Sequence, residues 1–157
     1  MCRLMQQGKP GKERNPMSEE NKAVVRREFE EMFNQGGNID AAEEIYAPDY
    51  VGHEPAFGNS SGVEGARQFA AEFRQAFPDI QTTIEDMVSE GDRVVTRFNS
   101  RGTHHGEIED LGPPTGKQFE VTGITIERFS DGKIVEDWTN FDALGLLRQL
   151  GLVPEQQ

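Results

Sequence analysis

A single cysteine, Cys2, stands in 157 residues. A lone thiol closes no internal disulfide and cannot build a cysteine-based zinc site. Positive charge is also scarce: 16 Lys+Arg face 28 Asp+Glu, for a net charge of −12. A chain that acidic repels a phosphate backbone and an anionic lipid surface, so neither nucleic acid nor a membrane is expected as a partner. No apolar run is long enough to span a bilayer. The N-terminus lacks the apolar stretch of a secretory signal. These absences leave a soluble, cytoplasmic protein as the expectation. What the chain does have is phenylalanine, ten in all, within a composition that is only 34% hydrophobic at a mean hydropathy of −0.68. A chain of this length fits one domain and can bury roughly two-thirds of its unfolded surface.

Charge and turn residues divide the chain. Residues 1–16 are net basic, rich in Gly and Pro, and without apolar periodicity. They predict a disordered tail reaching to about Met17, with the folded domain over 18–157. Ser18 suits an N-cap, and Val25, Phe29, Met32 and Phe33 form one helical stripe that Gly36-Gly37 ends. Asp40 and Glu43 have capping-box spacing for a short helix burying Ala42, Ile45 and Tyr46, which Pro48 stops. Extended chain is expected to begin at Tyr50. Ser61 and Glu64 form a second capping box, before a helix with Ala66, Phe69, Ala70, Phe73 and Phe77 on one face. Beyond Pro78 the apolar period changes from about 3.6 to 2. Strands are expected near 80–90, 93–104, 118–129 and 133–141, with hairpin turns at Glu90-Gly91-Asp92 and Asp131-Gly132. A last helix near 143–150 ends at Gly151. Helices followed by an antiparallel sheet make an α+β fold, and a curved sheet wrapped on amphipathic helices leaves a cavity between them.

Six segments carry a resemblance. They are Asn21-Lys22-Ala23-Val24-Val25-Arg26-Arg27, Ile45-Tyr46-Ala47-Pro48-Asp49-Tyr50-Val51, Ala76-Phe77-Pro78-Asp79, Gly102-Thr103-His104-His105-Gly106, Pro113-Pro114-Thr115-Gly116-Lys117 and Asp131-Gly132-Lys133-Ile134-Val135-Glu136. In this order they resemble the SnoaL-like polyketide cyclases, or ester cyclases, of the nuclear transport factor 2-like superfamily, over about 18–152. The resemblance implies a cone-shaped, curved antiparallel sheet closed by the N-terminal helices around an apolar pocket. It also implies ring closure by intramolecular aldol condensation, with an acid–base group in the pocket and no metal or other cofactor.

Asp137 is the first candidate for that group, because burial in an apolar pocket raises a carboxyl pKa toward a useful general-base value. Hairpin register controls where it points. A three-residue loop, Ser130-Asp131-Gly132, sets Asp137 opposite Thr125 and Thr139 opposite Gly123, with Ile124, Ile126, Ile134 and Trp138 on the other face. A two-residue turn pairs Thr125 with Trp138 instead. The first register separates polar from apolar side chains; the alternative reading leaves Asp137 in solvent. In characterised cyclases His commonly stands at the place of Asp137 and Asp at that of Thr139, while His or Asp is usual at Thr125. The family's acid–base groups therefore do not carry over as identities.

His104 shares a strand face with Thr96, Phe98 and Ser100, which the resemblance makes concave. There it would act as a base, bind a substrate carbonyl, or stand on the rim without a role. His105 points the opposite way, which argues against a paired-histidine metal site. His53 is expected at the pocket mouth, with Tyr50, Phe73, Phe77, Phe98, Thr125 and Thr139 as lining. Arg97 and Arg101 read as solvated outer-face charges rather than as part of the Asp-Arg-Asp arrangement of an epoxide hydrolase. Ile124, Ile126 and Trp138 would leave an apolar patch on a monomer, so a homodimer through the sheet face is expected. Two functions fit this reading: a cofactor-independent cyclase-type enzyme acting on an apolar carbonyl compound, or a non-catalytic protein that binds such a ligand.

Overall fold

The computed structural model describes residues 16–109 and 111–153. The basic tail expected over 1–17 lies outside them, apart from Pro16 and Met17. Four helices and six strands follow in chain order. Helix α1 (Pro16–Met32) leads through a single 3-10 turn (Ile39–Ala41) into the one-turn helix α2 (Ala42–Ile45). Strands β1 (Tyr46–His53) and β2 (Ser60–Ser61) come next, then helix α3 (Gly62–Ala76). Strands β3 (Gln81–Glu90), β4 (Arg93–Thr103), β5 (Gln118–Ser130) and β6 (Lys133–Phe141) precede helix α4 (Ala143–Gln149).

The six strands form one sheet in the order β2-β1-β6-β5-β4-β3. Neighbours are antiparallel except β1 and β6, which run parallel because the whole α3–β5 segment separates them in sequence. Register slips between Tyr46 and Val51, between Ile84 and Asp86, and between Arg128 and Phe129. Each irregularity bends its strand, which gives the sheet its curvature. Helices α1 and α3 sit against the concave face, where Phe29 meets Phe98 at 5.6 Å and Phe33 meets Phe69 at 6.3 Å between ring centres.

Several helix and strand starts differ from expectation. Helix α1 begins at Pro16, two residues ahead of Ser18; a proline fits the first turn, where its missing N–H costs nothing. Asn38, not Asp40, supplies the cap here, and it caps the 3-10 turn that leads into α2: its side chain accepts from the Asp40 N–H at 3.0 Å, while α2 itself has no side-chain cap. Ser61 precedes α3, but its side chain makes no cap hydrogen bond, so the second capping box does not form. Strand β1 starts at Tyr46 rather than Tyr50. It accommodates Pro48, which has no N–H to donate, inside the stretch where pairing with β6 lapses. Beyond α1, the Asn34 side chain replaces backbone pairing. It donates to the carbonyls of Phe29 (2.8 Å) and Thr82 (3.1 Å) and accepts from the Thr82 N–H (2.7 Å), tying the helix end to β3.

The β5–β6 hairpin departs from both registers weighed above. Its turn has two residues, Asp131 and Gly132, with φ of +50° and +76°. This is the pattern of a tight primed turn matching strand twist. Ser130 pairs with Lys133 and Phe129 with Ile134, and then one extra residue, Val135, slips the register so that Arg128 faces Glu136. Thr125 therefore faces Thr139, Gly123 faces Phe141, and Asp137 faces Glu127, not Thr125. The bulge also moves Ile134 off the outer face. It is wholly buried in a core formed with Met32, Ile45, Tyr46 and Val94. A second core gathers Phe77, Ile80, Phe119, Leu146 and Leu150 around α4.

The bulge predicts a specific stability pattern. Ile134→Ala leaves a void in a closed core and should cost about 2–5 kcal/mol in urea unfolding. A loss below about 1 kcal/mol would put the side chain on the outer face and remove the bulge from the fold.

Candidate active site

Between the two cores the sheet and helices enclose a cavity of about 920 Å³, measured out to its open mouth. Eight of the ten phenylalanines line it, all except Phe77 and Phe129. Their rings pack on one another, as with Phe57 against Phe141 (5.6 Å, nearly parallel) and Phe69 against Phe73 (6.0 Å). One wall is different, and strand alternation builds it. On the inward face of β5 and β6, Thr125, Glu127, Asp137 and Thr139 form two cross-strand pairs. Strand β1 adds Tyr46 and Tyr50, and α1 adds Glu28.

This wall is a buried carboxyl–phenol cluster. Tyr50 donates to Oδ2 of Asp137 at 2.5 Å, and Tyr46 donates to Oε1 of Glu28 at 2.5 Å. Burial pushes Asp137 up to about 6 while the Tyr50 bond pulls the other way. Burial raises Glu28 to about 7, with the Asp137 charge adding to the shift. Glu127, 1% exposed, is driven well above the usual carboxylate range by burial and then by Glu28. Oε2 of Glu28 and Oε2 of Glu127 are both buried and receive no N–H or O–H from another group. A proton on Glu127 resolves this, since the two carboxyls then hydrogen-bond to one another. Burial pushes both tyrosine hydroxyls up, so they remain protonated donors. Glu54, just beyond β1, lies on the cavity and is raised by burial to about 7.

Two glycines make room for these side chains. A Cβ on Gly52, which pairs with Asp137, would lie 2.3 Å from the Tyr50 hydroxyl oxygen. A Cβ on Gly123 would lie 2.4 Å from the Phe98 ring. Any larger residue at Gly52 displaces the hydroxyl that holds Asp137.

Of the residues singled out from sequence, Asp137, Tyr50, Phe73, Phe98, Thr125 and Thr139 all reach this cavity. The Thr139 hydroxyl donates to that of Thr125 at 2.9 Å. Three others lie elsewhere. His104 is fully buried just past the end of β4, beside Phe77 (5.8 Å) and Thr115, and does not line the cavity. The geometry thus separates it from Asp137: Phe98 and Ser100 are the β4 residues that reach the cavity, and His104 lies beyond the strand's end. Phe77 belongs to the second core. His53 points outward, where it bonds Glu136 at 2.8 Å and stacks on Trp138 at 5.6 Å. Arg97 and Arg101 are exposed, with Arg101 bonded to Gln81. Among the described residues no cluster of His, Cys, Asp or Glu has the arrangement to hold a metal ion.

Sequence reasoning missed Glu28, Glu54, Glu127 and the inward-facing Tyr46. A signal existed for two of them. Glu28 lies within the buried stripe of α1, three residues after Val25 and four before Met32. Glu127 alternates with Thr125 and Phe129 on the inward face.

Raised carboxyl pKa values make the native state bind more protons than the unfolded chain, so these groups cost stability as pH rises from about 4 to about 7. Glu28→Gln removes one such group while keeping its shape. Measured by urea unfolding, the variant should gain on the wild type by something on the order of 2–3 kcal/mol between about pH 4 and pH 8. A difference that stays constant with pH would mean that Glu28 ionises like an exposed carboxylate.

Comparison with known proteins agrees with this geometry. The family model described as SnoaL-like polyketide cyclase matches residues 23–150. Nogalonic acid methyl ester cyclase of Streptomyces nogalater is 33% identical over 125 residues, covering 76% of this chain and 89% of that protein. Among solved structures, a candidate SnoaL-like polyketide cyclase from Jannaschia sp. CCS1 superposes with a TM-score of 0.82 at 27% identity, covering 92% of this chain and all of the other. IdmH of Streptomyces antibioticus, a candidate polyketide cyclase, gives 0.68 at 35% identity over 83% of this chain and 98% of its own. With its curved six-stranded sheet on helices, its aromatic cavity and these relatives, the chain belongs to the SnoaL-like polyketide cyclase family and has the nuclear transport factor 2-like α+β fold.

Proposed function

We propose that the protein is a cofactor-independent cyclase that closes a ring in an apolar, carbonyl-bearing small molecule, with Asp137 as its acid–base group. One observation carries the reading: a carboxylate sits in an aromatic cavity, held on one oxygen by Tyr50 and raised to about 6. Near neutrality such a group is ionised yet basic enough to take a proton from carbon next to a carbonyl. The resulting enolate carbon attacks a second carbonyl of the same molecule and forms the carbon–carbon bond. Asp137 then returns its proton to the new alkoxide. Within one molecule a C–H bond and the π bond of one carbonyl are exchanged for a C–C bond and an O–H bond, so the balance needs no oxidant or reductant. The Phe walls exclude water and hold a flexible chain folded, which brings the two carbonyls together. The relative nogalonic acid methyl ester cyclase, by its name, cyclises a methyl ester, which supports this reading. A cytoplasmic setting suits a chain with one cysteine.

Asp137→Asn keeps the shape and removes the proton acceptor. With a cyclisable poly-carbonyl ester as substrate, turnover should fall by about two to four orders of magnitude while affinity changes little. Unchanged turnover would dismiss Asp137 as the base. A wild-type protein that binds the ester without turning it over would be the non-catalytic binding protein instead.

The same reading has two copies meeting through the outer sheet face. Ile124 is 49% exposed there, beside the half-buried Ile126 and Trp138. Trp138 is stacked on His53 and has Arg93 5.3 Å over its ring, so the indole is held in place on this face. Light scattering at micromolar concentration should give twice the 17.6 kDa chain mass. A monomeric mass would refute the dimer.

A further inference from the structure

The polar wall of the cavity is unbalanced in charge. Acidic groups reach it from every element that forms it: Glu28 from α1, Glu54 from just beyond β1, Glu127 from β5 and Asp137 from β6. Among the described residues, Tyr46 and Tyr50 from β1 are the other titratable groups there, and both are donors. No Lys, Arg or His side chain among the described residues lines the cavity. In a buried site, carboxyls without a cationic partner must be satisfied by protons or by a cation from outside. Tyr46 donates to Glu28, Tyr50 to Asp137 and Thr139 to Thr125, which leaves the Glu28–Glu127 pair only the proton they share. Glu28 and Glu127, 3% and 1% exposed, each keep an oxygen without any donor from the surrounding protein. The rest of the cavity is mostly aromatic, with Ser60, Thr82 and Ser100 as its other polar side chains. Ring faces carry the negative end of a quadrupole, so they attract a cation that has lost part of its water. An anionic ligand meets repulsion from the carboxylates.

We infer that the cavity selects a ligand bearing a protonated amino group, seated against the Glu28–Glu127 pair, with its apolar body on the phenylalanine walls. This rests on the cavity being the substrate site and narrows the substrate class to an amine-bearing carbonyl compound. Asp137, held apart by Tyr50, stays free for proton transfer. The incoming ammonium takes the place of the proton that Glu28 and Glu127 share, so binding releases protons to solvent.

Three ligands of one shape test it: naphthylmethylamine, naphthylmethanol and naphthoate, titrated calorimetrically into the full chain near pH 7.5. The amine should bind about tenfold or more tightly than the alcohol, and naphthoate should not bind. Heats in two buffers of different ionisation enthalpy should show net proton release with the amine and none with the alcohol. Near pH 5, where the carboxyls are protonated, the preference should shrink. Glu127→Gln or Glu28→Gln should shrink it at pH 7.5, and the wild-type pH series gives the same readout if a variant does not fold. Equal affinities for amine and alcohol would overturn the inference and leave the cavity as the binding site. Amine affinity that collapses in about 0.5 M salt would mark attraction to the acidic surface and overturn it too. Failure of all three ligands to bind would overturn both the inference and the reading of the cavity as a site.

Discussion

One extra residue in strand β6 sets the geometry on which the rest of the site depends. Ile134 and Asp137 lie three positions apart, so a regular strand would turn them to opposite faces. The bulge at Val135 lets both face inward: Ile134 closes the core against α1 and α2, and Asp137 enters the cavity. The same slip pairs Asp137 with Glu127 and Thr125 with Thr139, which assembles the polar wall. The slip follows directly on the turn. Asp131 and Gly132 close a two-residue primed turn, which places Ser130 against Lys133. Without the extra residue, the whole outer half of β6 would be inverted.

The wall assembled in this way is expensive. Buried carboxyls with raised pKa values oppose folding at neutral pH, and the two tyrosines offset only part of that cost. The phenylalanine cluster around them supplies the opposing burial. Rings at 5–6.5 Å with mixed edge and stacked contacts fill the space beside the cavity while leaving it open. Stability and chemistry thus draw on the same side chains. Those that line the cavity give it an apolar wall, and their low polarity is what makes the carboxyls basic.

The outer face follows different rules. Its charges are solvated and paired locally, as with Glu136 between His53 and Arg128, which hold its carboxyl below the usual range. His53 belongs to this set because β1 pairs parallel with β6 and brings it over Trp138. Its apparent place near a pocket mouth came from its nearness in sequence to Tyr50. Alternation along β1 separates the two.

The sequence by itself determined the elements and their order. Helical stripes before Pro78, alternation after it, and glycine-bearing turns at Gly91 and Gly132 are local signals, and each strand after Pro78 lies within a residue or two of where they put it. The family likeness was legible too, but the register that first set Asp137 inward was not the one that forms, and its inward direction depends on the bulge. Helix starts were less legible, because Asn38 could compete with Asp40 for a cap and only packing chose between them. Tertiary structure alone decided the bulge at Val135, the parallel β1–β6 pair, and the meeting of Glu28 with Glu127. Those depend on contacts between segments about a hundred residues apart in sequence. A glutamate on a helix and another on a strand look like two solvated charges until the sheet curls around the helix and removes the water between them.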